Sequence, residues 1–139
     1  QWVVDDLAAN PARCTIAFWH HPRYSSGHDG DATFMADIYN KLYDAGAELL
    51  LAGHSHNYER FAPQGKTANL DEARGIREFV VGTGGAFFTG VSTVKPNSVV
   101  RQNTTFGVLE LTLRASGYSW RFVPEPGRTF TDSGSGTCH

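Results

Sequence analysis

With 139 residues, 40% of them hydrophobic and 19% charged, the chain can bury one real core and suits a single domain, 1–139, better than two. Its net charge of −2, with no basic stretch, argues against nucleic acid and anionic membranes as partners. No apolar run approaches membrane-spanning length, and no Lys/Arg-headed signal segment opens the chain.

The chain opens Gln1-Trp2-Val3-Val4, without an initiator Met and already inside a helix pattern, as expected of a start cut from a longer polypeptide. Residues 1–10 read as a helix with Val3 and Leu7 on one face and Pro11 after it. Cys14 to Trp19 has the β-branched and aromatic content of a short strand and ends in His20-His21-Pro22, where proline blocks further ladder pairing. A polar loop, Ser25 to Asp31, follows. Phe34, Ile38, Leu42 and Ala45 then recur at helical spacing, with Asp31 or Thr33 available to cap the start and Gly46 to close the end. Glu48 to Ala52 is a brief apolar strand stopped by Gly53. Strand, loop, helix, strand is an α/β unit, whose ligand groups collect at the carboxyl ends of the strands. Both histidine clusters, His20-His21 and His54/His56, occupy that position.

The second half is β-rich. Ile76 to Val81 predicts a strand running into Gly82-Thr83-Gly84-Gly85, which reads as a tight turn because neither GxGxxG nor GK[ST] is present. Residues 107–114 alternate, with Leu109, Leu111 and Leu113 on one face, and Ala115-Ser116-Gly117 turns them back into Tyr118 to Val123 as a hairpin. Trp19, Phe79, Trp120 and Phe122 read as core. Residues 131–139, rich in Ser, Gly and Thr, read as irregular. The two cysteines, Cys14 and Cys138, either pair, which implies an oxidising compartment, or are unrelated thiols. CxxC spacing is absent, so a metal site here uses His and carboxylate ligands.

Five of the six histidines fall in the clusters His20, His21, His28 and His54, His56. A His-x-His pair at a strand end points two imidazoles in similar directions, able to hold one metal or to give one ligand to each of two metals about 3.5–4 Å apart. Gly53 lets the backbone turn sharply there. Tyr58 stands where an HxHxD hydrolase motif would carry its aspartate.

Gly53-His54-Ser55-His56-Asn57-Tyr58-Glu59-Arg60 resembles the GHxHxYER block of the calcineurin-like metallophosphoesterases, in particular the purple acid phosphatase branch. Ile16 to Pro22, with Tyr24 to Gly27, resembles that family's upstream metal-histidine block. Gly75 to Gly85 is similar to the bacterial secreted members. The resemblance implies an α/β fold: the C-terminal half of a four-layer αββα sandwich with a mixed sheet and a C-terminal β-hairpin. It implies hydrolysis of a small phosphate ester by two metal ions (Fe, Zn or Mn) in a secreted or extracytoplasmic protein. By position, His20 and His54 bind one ion and His56 the other. His28 contacts substrate phosphate or protonates the leaving alcohol. His21 orients His20 or the loop, and Tyr58 and Arg60 pack.

The family's upstream Asp ligand, its GDxxY block with the bridging Asp and its GNH block do not occur in this sequence. Asp5, Asp6, Asp29 and Asp31 do not fit those roles. Three imidazoles without the bridge hold at most one ion well, so the isolated chain is expected to be inactive. It is expected to pair its exposed sheet with the missing N-terminal half or with itself. The alternatives are a non-enzymatic metal-binding fragment or subunit that completes a partner bearing the missing Asp/Asn ligands, and a turn module that binds no metal.

Overall fold

The computed structural model describes residues 1–139. Along the chain run α1 (Trp2–Ala9), β1 (Ile16–Phe18), a 3₁₀ turn (Thr33–Met35), α2 (Ala36–Asp44), β2 (Leu49–Ala52), β3 (Tyr58–Phe61), β4 (Arg77–Val81), β5 (Ser98–Gln102), β6 (Gly107–Arg114), β7 (Gly117–Pro124) and β8 (Ser133–Thr137). The first five strands form one mixed sheet in the order β1-β2-β4-β3-β5, and the last three an antiparallel sheet in the order β6-β7-β8. Strands β1, β2 and β4 are parallel, while β3 runs antiparallel to both β4 and β5.

Leu49 to Ala52 in β2 and Phe79 to Val81 in β4 are continuous apolar runs because both faces of these strands are covered. Leu50, Val80 and Phe61 point to one face and join Tyr24, Tyr39, Leu42, Ala47 and Ile76. Leu49, Phe79 and Tyr58 point to the other and join Tyr118, Trp120, Phe122 and Cys138. The chain thus builds helices on one side of the mixed sheet and the antiparallel sheet on the other, a layered α/β sandwich of the expected kind.

Several local expectations change. Phe34 does not share the buried face of the second helix but is 70% exposed, and the helix buries Tyr39 and Leu42 instead. The 3₁₀ turn over 33–35 has three residues per turn, which carries Phe34 off the phase of the α-helix that follows. Neither Asp31 nor Thr33 caps that helix. Asp31 is engaged elsewhere, accepting from the Ser25 N–H at 3.0 Å and from Lys95 Nζ at 3.0 Å. Gly46 does close the helix at φ 77°, with its N–H donating to the Tyr43 carbonyl and the Ala47 N–H to that of Leu42. The hairpin forms as β6–β7 with Leu109 and Leu111 half-buried, but Leu113 is exposed.

The tail is not irregular. Residues 133–137 pair with β7, placing Gly134 against the Trp120 ring and Gly136 against the Tyr118 ring, where any Cβ would collide. Small residues are what let the strand lie over these rings. Cys138 then bonds to Cys14, which settles the open question of their pairing. The outer edge of β1 and that of β6 are both unpaired. Phe18, Leu51, Val81, Val108 and Leu109 line an open trough of about 350 Å³ between them. No helix is long and apolar enough to cross a membrane.

Candidate metal centre

Because β1, β2 and β4 are parallel and β3 runs against them, the ends of three strands and the start of a fourth lie along one sheet edge. The β1–β2 ladder continues past both strands: the Trp19 N–H donates to the Leu51 carbonyl at 3.1 Å and the Gly53 N–H to that of His20 at 3.0 Å. These bonds hold the His20 segment beside the His54 segment. The sharp turn expected at Gly53 falls one residue later, since His54 itself has φ 58°. Histidine is among the few residues enriched in this left-handed region. Behind the turn, Gly82 is needed because a Cβ there would overlap the Ser55 carbonyl.

His20 Nε2 and His54 Nδ1 are 3.1 Å apart. His21 completes the group, its ring 4.8 Å from that of His20 and 4.3 Å from that of His54. One nitrogen from each of the three lies within 4.8 Å of the others. Burial, and then the neighbouring His54 and His20, hold the His21 imidazole below its ordinary pKa, favouring the neutral form that ligates metal. The sequence reading assigns His21 to orienting His20 or the loop; here its ring stands within the group itself.

His56 is not in this group. Its Nδ1 donates to the Phe87 carbonyl at 2.8 Å, and its ring stands 4.9 Å from that of Phe87. A carbonyl only accepts, so the proton resides on Nδ1 and Nε2 keeps the lone pair a metal requires. The His56 N–H donates to Thr89 Oγ1 at 3.1 Å, and the Thr89 N–H to the His56 carbonyl at 3.1 Å. His28 is exposed, in the turn after Gly27. The next residue, Asp29, brings its carboxylate to 3.8 Å from His54 Nε2, the ring nitrogen away from His20.

Two buried glutamates hold the loop that carries these residues. Glu78 accepts from the Arg23 N–H at 2.7 Å and the Tyr24 N–H at 3.1 Å. Glu59 accepts from the Ser26 N–H at 2.8 Å and from the hydroxyls of Ser26 and Ser98. Burial pushes the Glu78 carboxyl up to about 8, against the pull of the two N–H donors. Asp29, the Phe87 carbonyl and the glutamate clamps were missed in the sequence. The one available signal was Glu78, a carboxylate inside the strand run Ile76 to Val81.

The donor set fits one ion of the zinc type. Two imidazole nitrogens on a tetrahedral ion with bonds of about 2.0–2.1 Å stand roughly 3.3 Å apart, close to the His20–His54 separation. No carboxylate, the ligand type that bridges a pair of ions, belongs to the three-histidine group.

No protein family and no curated protein matches the sequence. Among solved structures the fold resembles that of the purple acid phosphatase PPD1 isolated from yellow lupin (Lupinus luteus) seeds, with a TM-score of 0.81 at 20% identity. It also resembles GAP50, the anchor in the inner membrane complex of Plasmodium, with a TM-score of 0.67 at 21% identity. The likeness covers 96% and 91% of this chain, but only 27% and 38% of those two chains. The fold is therefore that of the C-terminal part of a purple acid phosphatase-like domain.

Proposed function

We propose that this chain supplies the histidine side of a two-metal phosphoesterase centre that hydrolyses phosphomonoesters. The observation that carries this reading is the convergence of His20 Nε2 and His54 Nδ1, 3.1 Å apart, at the carboxyl ends of parallel strands. In such a centre the metals supply Lewis acidity and a nucleophilic water at neutral pH. His20 and His54 hold one ion, with His21 beside them, and His56 offers Nε2 to the other. His28, exposed in its turn, contacts the phosphoryl oxygens or gives a proton to the leaving alcohol.

Asp and Asn ligands from a companion N-terminal half, docked along the free β1 and β6 edges, complete the centre. The chain alone is then inactive. The disulfide supports a secreted or extracytoplasmic setting. Metal analysis and Zn²⁺ titration of the purified chain test the reading: about one ion bound, lost on His54→Ala, with no turnover of an aryl phosphate. Zinc binding unaffected by His54→Ala would overturn the site, and turnover by the chain alone would overturn the claim of inactivity.

The likeness to GAP50, described as an anchor, favours a second reading in which the fold serves assembly without catalysis. On that reading, joining the chain to a polypeptide bearing the Asp/Asn ligands restores no hydrolysis.

A further inference from the structure

Two large aromatic side chains stand open to solvent against histidines at this end of the sheet, Phe34 beside His21 of the three-histidine group and Phe87 beside His56, two residues on from His54. Phe34 is 70% exposed and meets the His21 ring edge-on, centroids 5.2 Å apart at 71°. Phe87 is 75% exposed and meets the His56 ring in the same manner, at 4.9 Å and 71°. They come from unrelated segments, the 3₁₀ turn ahead of α2 and the loop between β4 and β5.

Neither segment hangs free. The Ala32 N–H donates to the Pro22 carbonyl and the Met35 N–H to that of Ala32, pinning the first to the His20-His21 loop. The Phe87 carbonyl takes the His56 Nδ1 proton, and Thr89 makes two further bonds to the His56 backbone, pinning the second. Each ring is thus positioned by the histidine segment it touches.

Resting on the phosphoesterase reading above, we propose that Phe34 and Phe87 form an aromatic rim that selects phosphate esters carrying a planar aromatic group over alkyl esters. The imidazoles recognise the metal and phosphoryl end, which is common to both kinds of ester. The aromatic group of the ester lies against a rim ring, offset-stacked or edge-to-face, with centroids about 4.5–7 Å apart. An alkyl ester has no such partner. Discrimination therefore lies in two phenylalanines that carry no metal and move no proton.

Calorimetric titration of the Zn²⁺-loaded chain with phenylphosphonate and methylphosphonate tests this without requiring turnover. The expected result is about tenfold tighter binding of phenylphosphonate, a difference of about 1.4 kcal/mol. Phe34→Ala with Phe87→Ala should bring the ratio close to one while zinc binding is retained. Phe18→Ala, at an exposed ring on the β1 edge outside the cluster, should leave the ratio unchanged. Equal affinities in the unmodified chain overturn the rim but leave the phosphate site standing. A preference that survives the double substitution also overturns it. If zinc binds and neither phosphonate does, the phosphoesterase reading falls and the rim falls with it.

Discussion

Asp29 and Asp132 show two uses of a carboxylate. Asp29 lies 3.8 Å from the nitrogen of His54 that faces away from His20, too far for a hydrogen bond but on the side from which a carboxylate can orient a ligating imidazole. Asp29→Asn is expected to weaken zinc binding about tenfold, measured by competition with a chelator; an unchanged affinity would remove Asp29 from the site. Asp132 is a structural hub. It accepts from Tyr58 Oη at 2.7 Å, from Arg60 Nε at 2.7 Å and Nη2 at 3.0 Å, and from Trp120 Nε1 at 3.2 Å. Burial pushes its pKa up, but the bonds from Arg60, Tyr58 and Trp120 outweigh that and hold it below the ordinary carboxylate value. Its contribution is present above that ordinary value and is lost as pH falls through the depressed one. Asp132→Ala leaves the largely enclosed Arg60 guanidinium and the buried Tyr58 hydroxyl without their acceptor and is expected to cost about 3 kcal/mol in urea denaturation at pH 7. Tyr58 and Arg60 were legible as packing residues from their run. Asp132 was not, because it lies in a segment with no periodic pattern.

At the scale of elements, the clamp between β4 and the 22–31 loop carries a pH signature. Glu78 is raised from 4.5 to about 8 in the folded chain, so the folded state holds a proton that the unfolded state releases. That contribution to stability is fully present below the unfolded value and is lost as pH rises through about 8. Urea midpoints are expected to fall between pH 5 and pH 9, and Glu78→Gln, which cannot ionise, should flatten the fall. An identical slope in the variant would dissociate the clamp from the pH dependence. Strands β2 and β4 were legible because Leu49 to Ala52 and Phe79 to Val81 are apolar on both faces. Strands β3, β5 and β8 were not: Tyr-Glu-Arg-Phe, Ser-Val-Val-Arg-Gln and Ser-Gly-Ser-Gly-Thr lack the pattern, and their strand state comes from neighbours far along the chain.

In the whole molecule, one covalent link and two open edges dominate. The Cys14–Cys138 bond closes a separation of 124 residues, tying the last strand to the approach of the first. Cys138→Ser is expected to cost about 2–5 kcal/mol, seen as a matching loss of stability when the native protein is reduced. Phe18 at 80% and Val108 at 61% exposure mark the same flank, where β1 and β6 end their sheets unpaired. An open edge beside an apolar trough invites another chain. Light scattering at micromolar concentration is expected to show self-association that an added N-terminal half competes away. A monodisperse monomer would count against it.

Local pattern was enough to place both histidine clusters at strand ends, because the period of a buried strand and the turn that stops it are written in consecutive residues. The hairpin and the approximate core followed for the same reason. The way the imidazoles meet did not follow. His20 and His54 are 34 residues apart, and His56 and Phe87 are 31 apart. Their nitrogens are aimed by a parallel ladder and by a loop whose residues have no contact with one another until the sheet has formed. The tertiary fold likewise decides that His21 joins the group, that Asp29 lies 3.8 Å from His54, and that Phe34 and Phe87 stand in water against His21 and His56. Each depends on distances between segments, which no spacing along the chain encodes.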